Sequence, residues 1–390
     1  MKVALLTDGI YPFVLGGMQK HSYYLVKYLG LNSVHADVYH SHKWGEGKQK
    51  KLEEEFYKEI DYNYIHLHFI EYPKRYNYPG HYLVERYQYS KRIFKELTKI
   101  TNYDFIYIQG FSGWYTLKNK SFFKVPLSLN FHGYEMFQKA PDTLTWLKMQ
   151  MFKLPVKVNL DRADIVYSFG GVISSILKNS LKIPPAKIEE LPNGIERSWI
   201  NNEIKADESV LKIVFIGRYE RRKGIEELTS VLKALDVSDR IEYHLIGPIP
   251  DQKKIHRPDV IYYGLISKQE NIKNILKSCD VLVCPSYAEG MPTVILEAMA
   301  SGLAIIATDV GAVNQLVSSS NGWLIKGDVK NGLLKTINKV ANINNYTLNE
   351  MKHQSIKMVE NGFLWDQIID QLVAIINTKS KNEERFVSNN

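Results

Sequence analysis

Short apolar runs alternate with longer amphipathic stretches through the first half of the chain. KVALLT, VHADVYH, YIHLHF, DFIYIQ, PLSLNF and DIVYSF have the length and the β-branched or aromatic content of buried strands, and helix-like segments separate them. Strand and helix taking turns in this way predict parallel βαβ units with right-handed crossovers, and so a doubly wound sheet. A polar, charged stretch, IERSWINNEIKADES, breaks the rhythm near residue 200. LKIVFIG then restarts it, followed by EYHLIG, VIYYG, DVLVCP, AIIATD and GWLIK. The expected class is therefore α/β with two Rossmann-like domains, one over residues 1–197 and one over 198–362. The closing stretch, 363–390, carries Phe363, Ile368, Leu372, Ile375 and Ile376 at helical spacing and ends in a polar tail. Two such domains enclose a cleft, and ligands of open α/β sheets bind outside the carboxyl ends of the strands.

The chain's 390 residues suit two cores better than one. Hydrophobic and charged contents of 45% and 24% exclude disorder and fibrous architectures. The opening MKVALLTDGIYPF reads as a strand rather than a signal peptide, and no apolar run reaches the ~18 residues of a membrane-spanning helix. Cys279 and Cys284 share one strand-like run, which points to neither a disulfide framework nor a zinc site and fits a reducing cytoplasm. All the net charge of +8 lies early. Residues 1–190 hold 26 Lys+Arg against 18 Asp+Glu, and residues 191–390 hold 24 against 24. A basic half can face an anionic membrane surface or an acidic acceptor; no nucleic-acid-binding module accompanies it.

Three segments carry candidate chemistry. Gly16-Gly17 precede an amphipathic helix, where paired glycines and a helix N-terminus suit an anion. IVFIGRYERRKGIEEL places Gly217, Arg218, Arg221, Arg222 and Lys223 at the carboxyl end of a strand, where cations can meet a diphosphate whose charge grows as a glycosidic bond breaks. In PSYAEGMPTVILEAMASG, the loop from Glu289 through Gly290, Met291, Pro292 and Thr293 can offer backbone N–H groups to phosphate. Glu297, one turn into the following helix, can accept from paired ribose hydroxyls, which leaves Glu289 to meet the sugar.

With these features in view, the chain resembles the retaining GT-B glycosyltransferases of family 4 over almost its whole length. The resemblance rests on the GG turn, FHGYE around His132, ADIVYSFG, LPNGI around Asn193, GRYERRKG, YYGLIS, the Glu-x7-Glu element from Glu289 to Glu297, and FLWDQII. It implies a catalytic set of His132, Arg218, Lys223 and Glu289. Donor contacts implied are Gly16, Gly17, Asn193, Gly217, Ile266, Gly290, Met291, Pro292, Thr293 and Glu297, with Ile266 in the segment that reads the base. It also implies that the last helix packs back on the first domain. Where family members often carry GG-x-P-E, this chain reads Gly311-Ala312-Val313-Asn314-Gln315.

The expected activity is metal-independent transfer of a sugar from a nucleotide diphosphate, UDP in preference to GDP, to a glycan, lipid-linked or small-molecule hydroxyl, with no cofactor. The rival readings are a nucleotide-sugar epimerase or hydrolase of the same fold, and a catalytically silent subunit of a glycoconjugate assembly. No metal site is expected, because the pairs His40/His42 and His66/His68 lack a third ligand and no Asp-x-Asp motif occurs. EYPKRYNYPGHYLVERYQYSKR reads as an amphipathic helix packed on the sheet, with acceptor or lipid-phosphate contacts as its alternative, and LTWLKMQMFKLPVKV as a core-facing helix, with a helix at a membrane interface as its alternative.

Overall fold

The computed structural model describes residues 1–41, 46–74, 77–78, 80–201, 203–204 and 210–387, with side chains beyond residue 380 and that of Glu46 outside the description. His42, three residues of the aromatic run (Arg75, Tyr76 and Pro79) and part of the linker stretch lie outside the described residues.

The first domain runs β1 (Lys2–Leu6), α1 (Gly17–Leu31), β2 (His35–His40), α2 (Glu46–Phe56), β3 (Ile65–Phe69), α3 (His81–Leu97), β4 (Phe105–Gln109), α4 (Trp114–Lys118), β5 (Leu127–Asn130), α5 (Thr143–Arg162), β6 (Ile165–Ser168), α6 (Gly171–Ser175) and β7 (Ile188–Glu190). Its sheet has the order β3-β2-β1-β4-β5-β6-β7 and is parallel throughout. The second domain runs β8 (Leu211–Ile216), α7 (Ile225–Ala234), β9 (Ile241–Ile246), β10 (Val260–Gly264), α8 (Gln269–Lys277), β11 (Val281–Cys284), α9 (Thr293–Ala300), β12 (Ala304–Thr308), α10 (Val313–Leu316), β13 (Gly322–Ile325), α11 (Val329–Val340), α12 (Asn345–Gly362) and α13 (Trp365–Val387). Its sheet order, β10-β9-β8-β11-β12-β13, reverses direction between β8 and β11. A crevice for ligands opens at such a switch point.

Central strands such as β11 (Val-Leu-Val-Cys) and β12 (Ala-Ile-Ile-Ala-Thr) read as apolar runs because helices cover both faces of each sheet, whereas β3 at an edge alternates as Ile-His-Leu-His-Phe. Leu5 and Val3 of β1 face Leu25, Val26 and Phe56 of α1 and α2, whereas Ala4 and Leu6 face Tyr89, Ile93 and Leu160 of α3 and α5. The second sheet is sandwiched likewise, by α9 and α12 on one face and α7 and α11 on the other. Twelve strands coincide with the apolar runs. The thirteenth, β7, is three residues long and reads Ile-Glu-Glu, a charged edge that carries no apolar signature and that discourages pairing with another chain.

Helix α13 returns to the first domain. Trp365, Ile368, Ile369, Leu372 and Ile376 are buried in the same cluster as Val3 and Leu25. The chain therefore crosses between domains twice, and the crossings touch: Ile195 N–H donates to Phe363 O (2.7 Å), and Trp365 N–H donates to Ile195 O (3.1 Å).

One expectation is corrected by α5. Only its second half faces the core, through Val156 and Leu160. Leu144, Trp146, Leu147, Met151 and Leu154 are exposed, by 42–72%. Geometry explains the difference. Twenty helical residues span about 30 Å, but the four-residue strands β5 and β6 flanking α5 span only about 13 Å, so the first turns of α5 overhang the sheet. Among the described residues no helix is long and apolar enough to cross a membrane.

Candidate active site

The carboxyl ends of the two sheets meet, and most of the singled-out residues lie where they touch. After β5 the chain turns through His132, which adopts a left-handed conformation (φ 61°) with its N–H bonded to Asn130 Oδ1 at 2.8 Å. That conformation is uncommon for a residue with a side chain, and here the Asn130 amide stabilises it. The turn sets the His132 carbonyl against Gly290 of the second domain. A Cβ at Gly290 would fall 1.8 Å from that oxygen, so only glycine permits this approach. Two further ties close the same seam. Gln138 Nε2 donates to Glu289 O (2.7 Å) while its Oε1 accepts from Gly311 N–H (3.1 Å), and Val172 N–H donates to Gly311 O (2.9 Å). Gly311 thus serves as a docking point, and Gln315 lies against Gly170 of the first domain.

Glu289 is buried with its carboxylate in a cationic cage. Lys223 Nζ donates to Oε1 at 2.6 Å, Ser286 Oγ donates to the same oxygen at 2.8 Å, and Arg222 Nη1 stands 3.6 Å from Oε2. Lys223 reaches it because the β8 loop is pinned at Gly224 (φ +68°), where a Cβ would sit 2.0 Å from Pro285 O. Arg218 is not part of this cage. Its side chain is 70% exposed and pairs with Glu220 at 3.0 Å, at the cleft end of β8 beyond Gly217.

A second group forms around the N-terminus of α1. Gly16 caps that helix without a side-chain hydrogen bond, and a Cβ on Gly17 would point into open space. One turn on, His21 Nδ1 lies 2.8 Å from Asn193 Oδ1, and Asn193 Nδ2 donates to Met291 O at 2.7 Å. The second bond orients the Asn193 amide, so its oxygen faces His21 and Nδ1 carries the proton. His21 Nε2 is then a bare acceptor, and it has no partner among the described residues. The relay joins the first domain to the Met291 loop of the second, where Pro292 caps α9 and Thr293 begins it. The rings of His21 and His132 meet edge to face at 4.6 Å. Glu297, in the second turn of α9, lines a small crevice of about 20 Å³ with Lys20, His21, Asn193, Thr293 and Trp365. Its carboxyl has no hydrogen-bond partner among the described residues. Ile266, just past β10, is half-buried against the second-domain core. A larger interdomain cavity of about 470 Å³ lies behind the Glu289 loop, bounded by Lys139, Val172, Tyr287, Asp309 and Lys326.

Burial sets the protonation of these groups. It pushes the Glu297 carboxyl above its usual range, against the pull of Lys20. It also holds both imidazoles neutral: His132 falls well below its ordinary value, and His21 falls to about 4 despite the bond to Asn193. Because folding lowers the His21 pKa, the unfolded chain binds that proton more tightly. The neutral-His21 contribution is complete above pH 6.5 and is lost as pH falls toward about 4. It amounts to at most roughly 3 kcal/mol. Urea melts stepped through this window are expected to lose stability faster in wild type than in His21→Gln; equal slopes would remove His21 from the acid transition.

Ser286, Gln138 and His21 enter the site without having been singled out. Arg222 was visible as part of a basic loop, and His21 stands four residues after Gly17 on the same helix face. Gln138 has no local signal, since its partner is 151 residues away. Among the described residues no three His, Cys, Asp or Glu side chains converge as a metal site. His68 instead faces Asp37 at 3.6 Å.

Comparison with known proteins adds names to this geometry. The model for Glycosyltransferase Family 4 matches residues 15–199, and that for Glycosyl transferases group 1 matches residues 211–342. The putative teichuronic acid biosynthesis glycosyltransferase TuaC of Bacillus subtilis is 31% identical over 159 residues, covering 38% of this chain and 40% of that protein. An Escherichia coli UDP-Gal:alpha-D-GlcNAc-diphosphoundecaprenol alpha-1,3-galactosyltransferase is 33% identical over 212 residues, covering 49% and 54%. The matches therefore span about half the length of these relatives. In fold, the chain is similar to HepE of Anabaena in complex with UDP and glucose, with a TM-score of 0.68 at 16% identity over 97% of this chain and 100% of the other.

Proposed function

The chain is a two-domain glycosyltransferase of the GT-B architecture, and on that premise we propose that it transfers a sugar from UDP, in preference to GDP, to a hydroxyl of a glycan or lipid-linked acceptor in cell-surface polysaccharide assembly. The observation that carries this reading is the pairing of an unpartnered, half-buried Glu297 with the Lys223–Glu289 cage, both at the mouth of one cleft. Glu297 accepts the ribose hydroxyls, and Lys223, Arg222 and Arg218 receive the diphosphate. Glu289, released from Lys223 as phosphate takes its place, turns to the hydroxyls of the donor sugar. In the reaction the acceptor oxygen bonds to the anomeric carbon as the bond from that carbon to the β-phosphate oxygen breaks, and the acceptor's proton passes to an oxygen of the departing diphosphate. Side-chain cations and the N-terminus of α9 stabilise the departing charge, so no divalent cation is required by this reading. Retention at the anomeric carbon is part of the proposal, and product NMR reads it directly.

The polysaccharide and lipid-linked readings draw on the likeness to TuaC and the Escherichia coli enzyme, and the UDP preference on the latter together with HepE. The basic first half fits an acceptor held at an anionic membrane on its cytoplasmic side.

The test is a thermal-shift panel of UDP, GDP, ADP and CDP with EDTA present, on wild type and Glu297→Ala. A nucleotide at about 100 times its Kd stabilises by about 2.7 kcal/mol. Stabilisation by UDP, abolished in the variant, is the expected result. The UDP effect should also shrink in wild type as pH falls through the raised Glu297 pKa, because only the ionised carboxylate accepts from both hydroxyls. A panel with no shift would favour a silent subunit, and UDP release independent of acceptor would favour hydrolysis.

A further inference from the structure

We propose that the interdomain cavity behind the Glu289 loop is a second binding site, which takes an anionic sugar (a pyranose bearing a phosphate or a carboxylate) and through it favours closure of the two domains. The cavity measures about 470 Å³, a size typical of small-molecule sites. It stands apart from the donor machinery. Lys223 and Arg222, which hold the Glu289 carboxylate, follow β8, whereas the cavity opens at the carboxyl ends of β12 and β13, on the other side of β11 in the sheet.

The lining selects the ligand. Lys139 of the first domain and Lys326 of the second both border the cavity, both are exposed, and neither has an ion-pair partner among the described residues. Two such cations facing one space attract an anion. Asp309 makes the opposite demand: its Oδ1 is buried and accepts no hydrogen bond among the described residues, so it calls for a donor. Bare phosphate would satisfy the lysines but be repelled by Asp309, and a neutral sugar would satisfy Asp309 but leave the lysines unpaired. A sugar with one anionic group satisfies both, with its C–H face against Phe137, Val172 and Ile325. The same walls hold the catalytic loop. Gln138 bridges Glu289 O and Gly311 N–H, Ser286 Oγ donates to Glu289 Oε1 at 2.8 Å, and Thr308 Oγ1 donates to Ser286 O. A ligand that touches both domains binds the closed arrangement more tightly than an open one and shifts the population toward it. It therefore tightens donor binding, and the donor tightens its binding by the same factor. That coupling rests on the transferase reading above; occupancy of the cavity does not.

Wild type, Lys139→Glu/Lys326→Glu and Asp309→Ala are titrated calorimetrically with glucose 6-phosphate, methyl glucuronoside, glucose and inorganic phosphate, without and then with saturating UDP. Glucose 6-phosphate represents a free sugar phosphate, and methyl glucuronoside an acidic unit within a glycan; whichever binds identifies the source. Wild type is expected to bind at least one of the two, at least about tenfold more tightly than glucose or phosphate, and each variant to lose at least about tenfold. UDP should lower the Kd of that sugar at least about fivefold in wild type. The Kd for UDP alone stays at the wild-type value in both variants, which controls for folding and for the donor site. Wild type that binds neither anionic sugar, variants that bind it as wild type does, or phosphate that binds as tightly overturns the proposal. Binding of the sugar that UDP leaves unchanged, in protein that binds UDP, overturns the link to closure. Protein that binds the sugar but no UDP overturns the donor reading instead and leaves the second site in place.

Discussion

Lys223→Ala is expected to lower kcat/KM by roughly 2–4 kcal/mol of transition-state stabilisation, about 30- to 1000-fold, and to do so mainly through kcat. On the proposed reading the ammonium meets a diphosphate oxygen most strongly once charge has developed there, so its loss is felt most as the glycosidic bond breaks. The Lys223–Glu289 pair sharpens this expectation. Lys223 is already committed to Glu289 at 2.6 Å, and the donor must exchange one anion for another rather than fill an unpaired cation site. Part of the attraction is therefore offset before the reaction, which favours an effect on turnover over one on donor affinity. Arg222 remains 3.6 Å from Glu289 in the variant, so that carboxylate keeps a cationic neighbour and the fold is expected to melt near the wild-type temperature. Steady-state kinetics with a saturating UDP-sugar and an acceptor, beside a thermal melt, test this. Wild-type turnover in a folded variant would take Lys223 out of the mechanism.

Gly290→Ala should cost at least about 100-fold in kcat/KM with little change in the melting of either domain. The added methyl would lie 1.8 Å from the His132 carbonyl, which real atoms do not tolerate, and the obstacle is backbone and cannot rotate away. The domains must therefore stand apart by about an ångström at the seam, and misplacement on that scale is enough for such a loss. Gln138→Ala is the informative companion, since it removes a tie across the same seam without inserting a wedge and should be milder. Equal losses in the two variants would mean that closure depends on the hydrogen bonds and not on the close approach of Gly290.

The fold was largely legible because its strands are buried on both faces and read as continuous apolar runs; KVALL and AIIAT permit no other use. What escaped was decided by distance or by length. β7 is too short and too charged to show a pattern. The first turns of α5 carry leucines that a local reading sends to the core, yet whether a helix outruns its sheet depends on the span of strands elsewhere in the chain. Within the site, motif residues such as Glu289, Glu297 and Lys223 stood out because glycine, proline and charge cluster around them. The side chains that arrange them did not. Arg222 and Lys223 are adjacent and chemically alike, and only the turn at Gly224 shows that both reach Glu289 while Arg218 turns outward to Glu220. His21 and Asn193 are 172 residues apart, and no spacing in the sequence announces a bond between them.

The contact between the two interdomain crossings has a mechanical consequence. Ile195 and the segment 363–365 are laced together by two hydrogen bonds, so the two covalent crossings form one connection, separate from the hydrogen bonds that close the seam at Glu289 and Gly311. Bodies joined at a single narrow pivot swing about it like a door, and they return along the path by which they left. The crevice beside Glu297 is only about 20 Å³, so on the proposed reading a swing about this pivot would open it to a donor, and closure about the same pivot would return His132 to Gly290. Because α13 follows the second domain in sequence but rides with the first, one spectroscopic probe on α13 and another on α12, close along the chain, would report the swing as a change in distance.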